Sequence, residues 1–113
     1  MSFRVATRQS GAVTIIDLSG SVTHSDAGAL HEMLDELIKK GQKRVLLNLE
    51  EVGHLDSSGI SALVQAYKSI KNSGGQFKVL HLNRQVQRIL EITNLSHVLE
   101  DYSDENAALH SFL

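Results

Sequence analysis

The sequence predicts an α/β fold, a mixed sheet of four to five strands with helices packed around it. Three observations carry this. Val45-Leu46-Leu47-Asn48-Leu49 is nearly continuous and apolar, as a strand covered on both faces requires. Segments of alternating polarity are interleaved with segments whose apolar residues recur at helical spacing. Such alternation of strands and helices implies crossover connections and a partly parallel sheet.

Taken in order, Phe3, Val5 and Thr7 alternate with Arg4, Ala6 and Arg8, a first strand with one solvated face. Ser10-Gly11 is a turn signal, and Ala12 to Leu18 is a second strand, so the two form a hairpin. Thr23-His24-Ser25-Asp26 matches the Ser/Thr-x-x-Asp/Glu capping pattern, and Leu30, Leu34, Leu37 and Ile38 follow at helical spacing. Core burial is the simpler account of that apolar stripe than a dimer helix. Gly41 ends the helix, and Lys39 and Lys40 sit where the dipole favours cations. After the strand at 45–49, Glu50 to Leu55 reads as a short loop leading to Asp56-Ser57-Ser58-Gly59. Ile60, Leu63, Val64, Tyr67 and Ile70 mark a second amphipathic helix, ended by Asn72-Ser73-Gly74-Gly75. Phe77 to Leu82 is a further strand. Val86, Ile89, Leu90 and Thr93 mark a third helix ending at Asn94. Val98-Leu99 reads as a short edge strand, and Asp104 to Phe112 as a closing helix with Ala108, Leu109 and Phe112 on one face. The order is ββαβαβα followed by this tail.

The 113 residues suit one domain spanning 1–113. With no cysteine, a disulfide framework, a thiolate zinc site and cysteine catalysis are excluded. No apolar stretch approaches the roughly 18 residues that span a bilayer, and Met-Ser-Phe-Arg-Val lacks a signal pattern, so a cytoplasmic protein without a membrane partner is expected. Net charge is −2, the basic residues are scattered, and aromatics make up only 4%, which points away from nucleic acid. His24, His31, His54, His81, His97 and His110 fall in different elements, except that His24 and His31 share a helix; no His-Glu-x-x-His occurs, so no metal is expected.

One constellation carries chemistry. Asp56-Ser57-Ser58-Gly59 lies between a buried strand and a helix, where functional groups of α/β sheets collect. Asp and Ser are also the favoured N-cap residues, so capping is the plain reading of the pattern. A phosphate on Ser57 would add about −1.5 to −2 charges where a helix N-terminus accepts an anion. A partner docked over the turn would then meet repulsion while the fold stayed intact. Gly59, lacking Cβ, would allow close backbone approach. A serine hydrolase would need Ser57 within reach of a histidine and an orienting acid. His54 and Asp56 are near in sequence, but the Gly-x-Ser-x-Gly elbow is absent. A binding protein rather than an enzyme is expected.

Leu55-Asp56-Ser57-Ser58-Gly59-Ile60-Ser61-Ala62-Leu63 resembles the signature of the sulfate transporter and anti-sigma factor antagonist (STAS) domain family. Leu18-Ser19-Gly20, Val45 to Leu49, Asn72 to Gly75 with Phe77 to Leu80, and Leu90 to Leu95 are similar to further family segments, in family order. The resemblance implies partner switching. The unphosphorylated protein binds an anti-sigma factor that is also a serine kinase, and phosphorylation of the serine after the Asp, here Ser57, releases it. A serine phosphatase resets the switch. ATP belongs to the kinase and no cofactor to this chain, which has no Gly-x-x-x-x-Gly-Lys-Ser/Thr loop. Self-association, as monomer or weak homodimer, is within the family's range. The family often shows Gly-Glu-aliphatic-Asp after the second strand. This chain has Gly20-Ser21-Val22-Thr23 there, with Asp26 three residues on. The expected docking surface is Asp56, Ser57, Ser58 and Gly59, then Ile60 and Leu63 on the next helix, with Ser21, Thr23 and Asp26 alongside. The alternative is a scaffold of the same fold, acting in secretion, biofilm, stress-sensing or lipid-transport assemblies and never phosphorylated.

Overall fold

A computed structural model describes residues 2–113. β1 (Phe3–Ser10) and β2 (Val13–Val22) form an antiparallel hairpin around Gly11, whose φ of 58° suits a tight turn. Then follow α1 (His24–Lys39), β3 (Arg44–Leu55), α2 (Ser57–Asn72), β4 (Gln76–Leu80), α3 (Arg84–Ile92), β5 (Glu100–Tyr102) and α4 (Glu105–His110). The strands lie in the order β1-β2-β3-β4-β5, and β2 to β5 are parallel.

Spatial order equals chain order, so each crossover steps the same way across the sheet. Crossovers of one hand then put α1, α2 and α3 on one face. The packing agrees. Ile16, Leu18, Val45, Leu47, Leu49, Phe77 and Val79 join Leu30 and Leu34 of α1, Ile60, Leu63 and Ile70 of α2, and Val86 and Leu90 of α3 in one core. The opposite parity of the strands, Val13, Ile15, Leu46 and Leu80, packs on Ala108 and Phe112 beside α4. Leu37 and Ile38 pack against the main core, as the stripe on α1 required.

Several boundaries differ from the sequence reading, among them the end of α3, which stops at Ile92 rather than Asn94. Glu50 to Leu55 is not a loop: β3 runs on to Leu55, paired with a β2 that runs on to Val22. Buried Val52 and Leu55 hold this extension, and register shifts after Asp17 and Gly20 absorb its irregularity. Gly20 permits the bend, with φ 95° and a backbone so close to Ser2 that a Cβ would lie 2.4 Å from its carbonyl oxygen. β4 stops at Leu80, because His81 turns to φ 61°. The edge strand is Glu100–Tyr102 rather than Val98-Leu99, since Leu99 is spent filling the core. In the closing helix Asp104 is the N-cap, and Phe112 lies beyond the last turn.

Candidate functional site

The C-terminal ends of β2 and β3 bring the starts of α1 and α2 together. The Asp56 amide donates to the Val22 carbonyl oxygen at 3.2 Å, fastening the start of α2 to β2. Asp56 is the N-cap of α2: its Oδ1 accepts from the Gly59 amide at 3.1 Å, and its carbonyl accepts from Ile60 at 3.0 Å. Capping is therefore done by the aspartate. Ser57 is the first helical residue, exposed, and its hydroxyl has no hydrogen-bond partner among the described residues. Ser58, half-buried, has its Oγ 3.1 Å from His24 Nδ1 on α1. Gly59 is buried, and a Cβ there would lie 2.4 Å from Leu55 Cδ1, so any larger residue would have to displace the Leu55 side chain where the first turn of α2 settles on β3.

Thr23 is the N-cap of α1, and Asp26 reaches back to it, completing the box that the sequence announced. Asp26 Oδ2 accepts from the Thr23 amide at 3.3 Å and hydroxyl at 3.1 Å, and Oδ1 accepts from the Ser2 amide at 3.3 Å. The Ser2 amide above all, then Thr23, holds this carboxyl below its ordinary pKa, against the opposing effect of burial. Ser21 is half-buried, and its amide donates to the Ser2 carbonyl at 2.9 Å.

Between α1 and α2 runs an open groove of about 450 Å³. His24 and His31 line it from α1, and Ser57, Ser58, Ser61 and Gln65 from α2, over a floor that includes Gly28 and Ala62. His31 Nδ1 is enclosed without a hydrogen-bond partner among the described residues.

The structure thus gathers Asp56, Ser57, Ser58, Gly59, Ser21 and Thr23 at one end of the molecule. Four residues of the expected docking surface are buried and do not belong to its contact face: Gly59, packed on Leu55, together with Ile60, Leu63 and Asp26. Ile60 and Leu63 are 2% and 0% exposed and point into the core, because they occupy the apolar stripe of α2. Asp26, 5% exposed, is spent on Thr23 and Ser2, so it offers no free carboxylate in place of the family aspartate. Four polar groove residues were missed: His24, His31, Ser61 and Gln65. The seven-residue spacing of His24 and His31 on one helix was the available signal, but their nearness to α2 depends on tertiary packing. The serine hydrogen-bonded to a histidine is Ser58 rather than Ser57, and no carboxylate orients His24 among the described residues.

The STAS domain family model matches residues 4–108. The chain is 29% identical over 110 residues to the anti-sigma F factor antagonist of Paenibacillus polymyxa, covering 96% of this chain and 94% of that protein. It is 35% identical over 77 residues to an anti-sigma factor antagonist homologue of Thermotoga neapolitana, covering 68% of each. The crystal structure of an anti-sigma factor antagonist of Thermotoga maritima superposes with a TM-score of 0.84 at 26% identity, covering 96% of this chain and 93% of that one. With this match along the sheet and its helices, and with the Asp56-Ser57-Ser58-Gly59 turn at the start of α2, the chain belongs to the STAS domain family.

Proposed function

We propose that this protein is an anti-sigma factor antagonist switched by phosphorylation at Ser57. Unphosphorylated, it binds an anti-sigma factor that is a serine kinase, through the α2 start, Ser21, Thr23 and the exposed side of the α1–α2 groove. The kinase transfers the γ-phosphoryl group of ATP to Ser57 Oγ, an O–P bond forms, and ADP and the hydroxyl proton leave. A serine phosphatase reverses the step by hydrolysis. The added negative charge sits on the docking face, where it repels the partner and must be desolvated for rebinding. The core beneath is untouched, so affinity changes while the fold stays.

The observation that carries this reading is the division of labour at the α2 start. Asp56 does the capping, which leaves the Ser57 hydroxyl exposed and uncommitted, as an acceptor must be. The named relatives, described as antagonists of anti-sigma factors, support the class of partner.

The test compares retention by immobilised Ser57→Ala and Ser57→Asp proteins from native lysate, with retained proteins identified by mass spectrometry. The alanine form should hold a kinase-like ATPase that the aspartate form loses. Equal retention of the same partners would move the protein to the constitutive scaffold class.

A further inference from the structure

We propose that His24 clasps the phosphate on Ser57 in the released form, so that α1 as well as α2 holds the modified switch. The inference rests on the reading of Ser57 as the phosphorylated residue. His24 is the first residue of α1, exposed, and its Nδ1 already lies 3.1 Å from the hydroxyl of Ser58, the neighbour of Ser57. Both His24 and Ser57 line the same groove, so a phosphate on Ser57 enters the space the imidazole sweeps. The imidazole gives up one neutral contact to Ser58 and gains a charge-assisted one, the stronger kind. The two helix starts converge there, and their unpaired amides add to the same anion-favouring field.

No other ionic group competes in the groove. Its lining on α1 and α2 holds no lysine, arginine, aspartate or glutamate; His31, seven residues further along α1, is its second titratable side chain. Nearby Asp26 is turned to Ser2 and Thr23, and Asp56 to the Gly59 amide. At the end of β3, His54 faces Gln85 of α3 instead. Of the two imidazoles, His24 is the one in contact with Ser58 beside Ser57, so the positive charge that the phosphate draws on is that of His24.

An imidazole in ordinary surroundings titrates near pH 6.5 and a phosphoserine near pH 6, so each should move the other's titration. By reciprocity, the phosphate raises the midpoint of His24 by as much as His24 lowers that of the phosphate.

The experiment uses the full chain with phosphoserine placed at position 57 during synthesis, beside the unmodified chain. Imidazole NMR signals and the phosphorus resonance are followed from about pH 5 to 8.5. The His24 midpoint should rise by roughly 0.5–1 unit in the phosphorylated chain, while those of His97 and His110 stay put. The phosphorus midpoint should climb back when His24→Gln is made in the phosphorylated chain. Equal His24 midpoints in the two forms would overturn the proposal without any variant, as would a phosphorus midpoint indifferent to His24→Gln. No partner enters this measurement. Failure of the clasp therefore leaves the retention result standing, and failure of retention leaves the clasp measured.

Discussion

At the residue scale, the site works by giving neighbouring polar groups separate duties. Asp56 satisfies the Gly59 amide, Ser58 meets His24, and Ser57 is left open to solvent. Asp56→Ala should therefore cost about 0.5–2 kcal/mol of stability, the usual loss of an N-cap, read as a fall in the urea midpoint at unchanged slope. Ser57→Ala at the first helical position should cost less than that. A larger loss for Ser57→Ala than for Asp56→Ala would mean that the serine does the capping and is no free acceptor. The Asp-Ser-Ser-Gly turn and its place before a helix were legible in the sequence, because capping chemistry is local. Which of the three oxygens would cap was not legible, since Asp56 and Ser57 are both good N-cap residues. The His24–Ser58 contact spans 34 positions and arises only when α1 and α2 pack side by side.

At the element scale, apolar periodicity located every helix, and it failed where tertiary contacts override it. Glu50 to Leu55 lacks strict alternation because the register shifts opposite it break the period, so it looked like a loop. α4 is the instructive case. Six residues are too few to stand as a helix alone, so its place depends on anchors. Phe112 is buried against the sheet. Lys78, 6% exposed, donates to the Ser111 carbonyl at 3.0 Å and hydroxyl at 2.8 Å, pairs with Glu100 at 2.9 Å, and lies 4.7 Å from the centre of the Phe112 ring. Such a lysine is tolerable inside because its ammonium has acceptors on several sides. Phe112→Ala should remove the apolar half of this arrangement and cost about 3–5 kcal/mol in denaturant unfolding. A loss below about 1 kcal/mol would show that the second face of the sheet contributes little to folding.

For the whole molecule, the carboxylates that knit distant elements set how the fold responds to acid. Arg8 of β1 holds the Asp17 carboxyl of β2 below its ordinary pKa, with help from Asn48 of β3. Asp26 is lowered chiefly by the Ser2 amide, and Glu100 of β5 by the Tyr102 hydroxyl first and Lys78 of β4 second. Each binds its proton more weakly in the folded chain than in the unfolded one. Protonation therefore favours unfolding, and the stability they contribute is full above the unfolded carboxylate range near pH 4 and lost as pH falls through the lowered folded values. Melting temperature should accordingly not fall on account of these groups between about pH 7 and 5, and should drop steeply below about pH 4. Asp17 and Arg8 are partly exposed, so their share is screened. The acid loss should be shallower in about 1 M salt than in 0.1 M, and Asp17→Asn should flatten the acid limb further. A melting temperature that held steady to pH 3 would mean that these bonds leave the carboxyl pKa values unshifted.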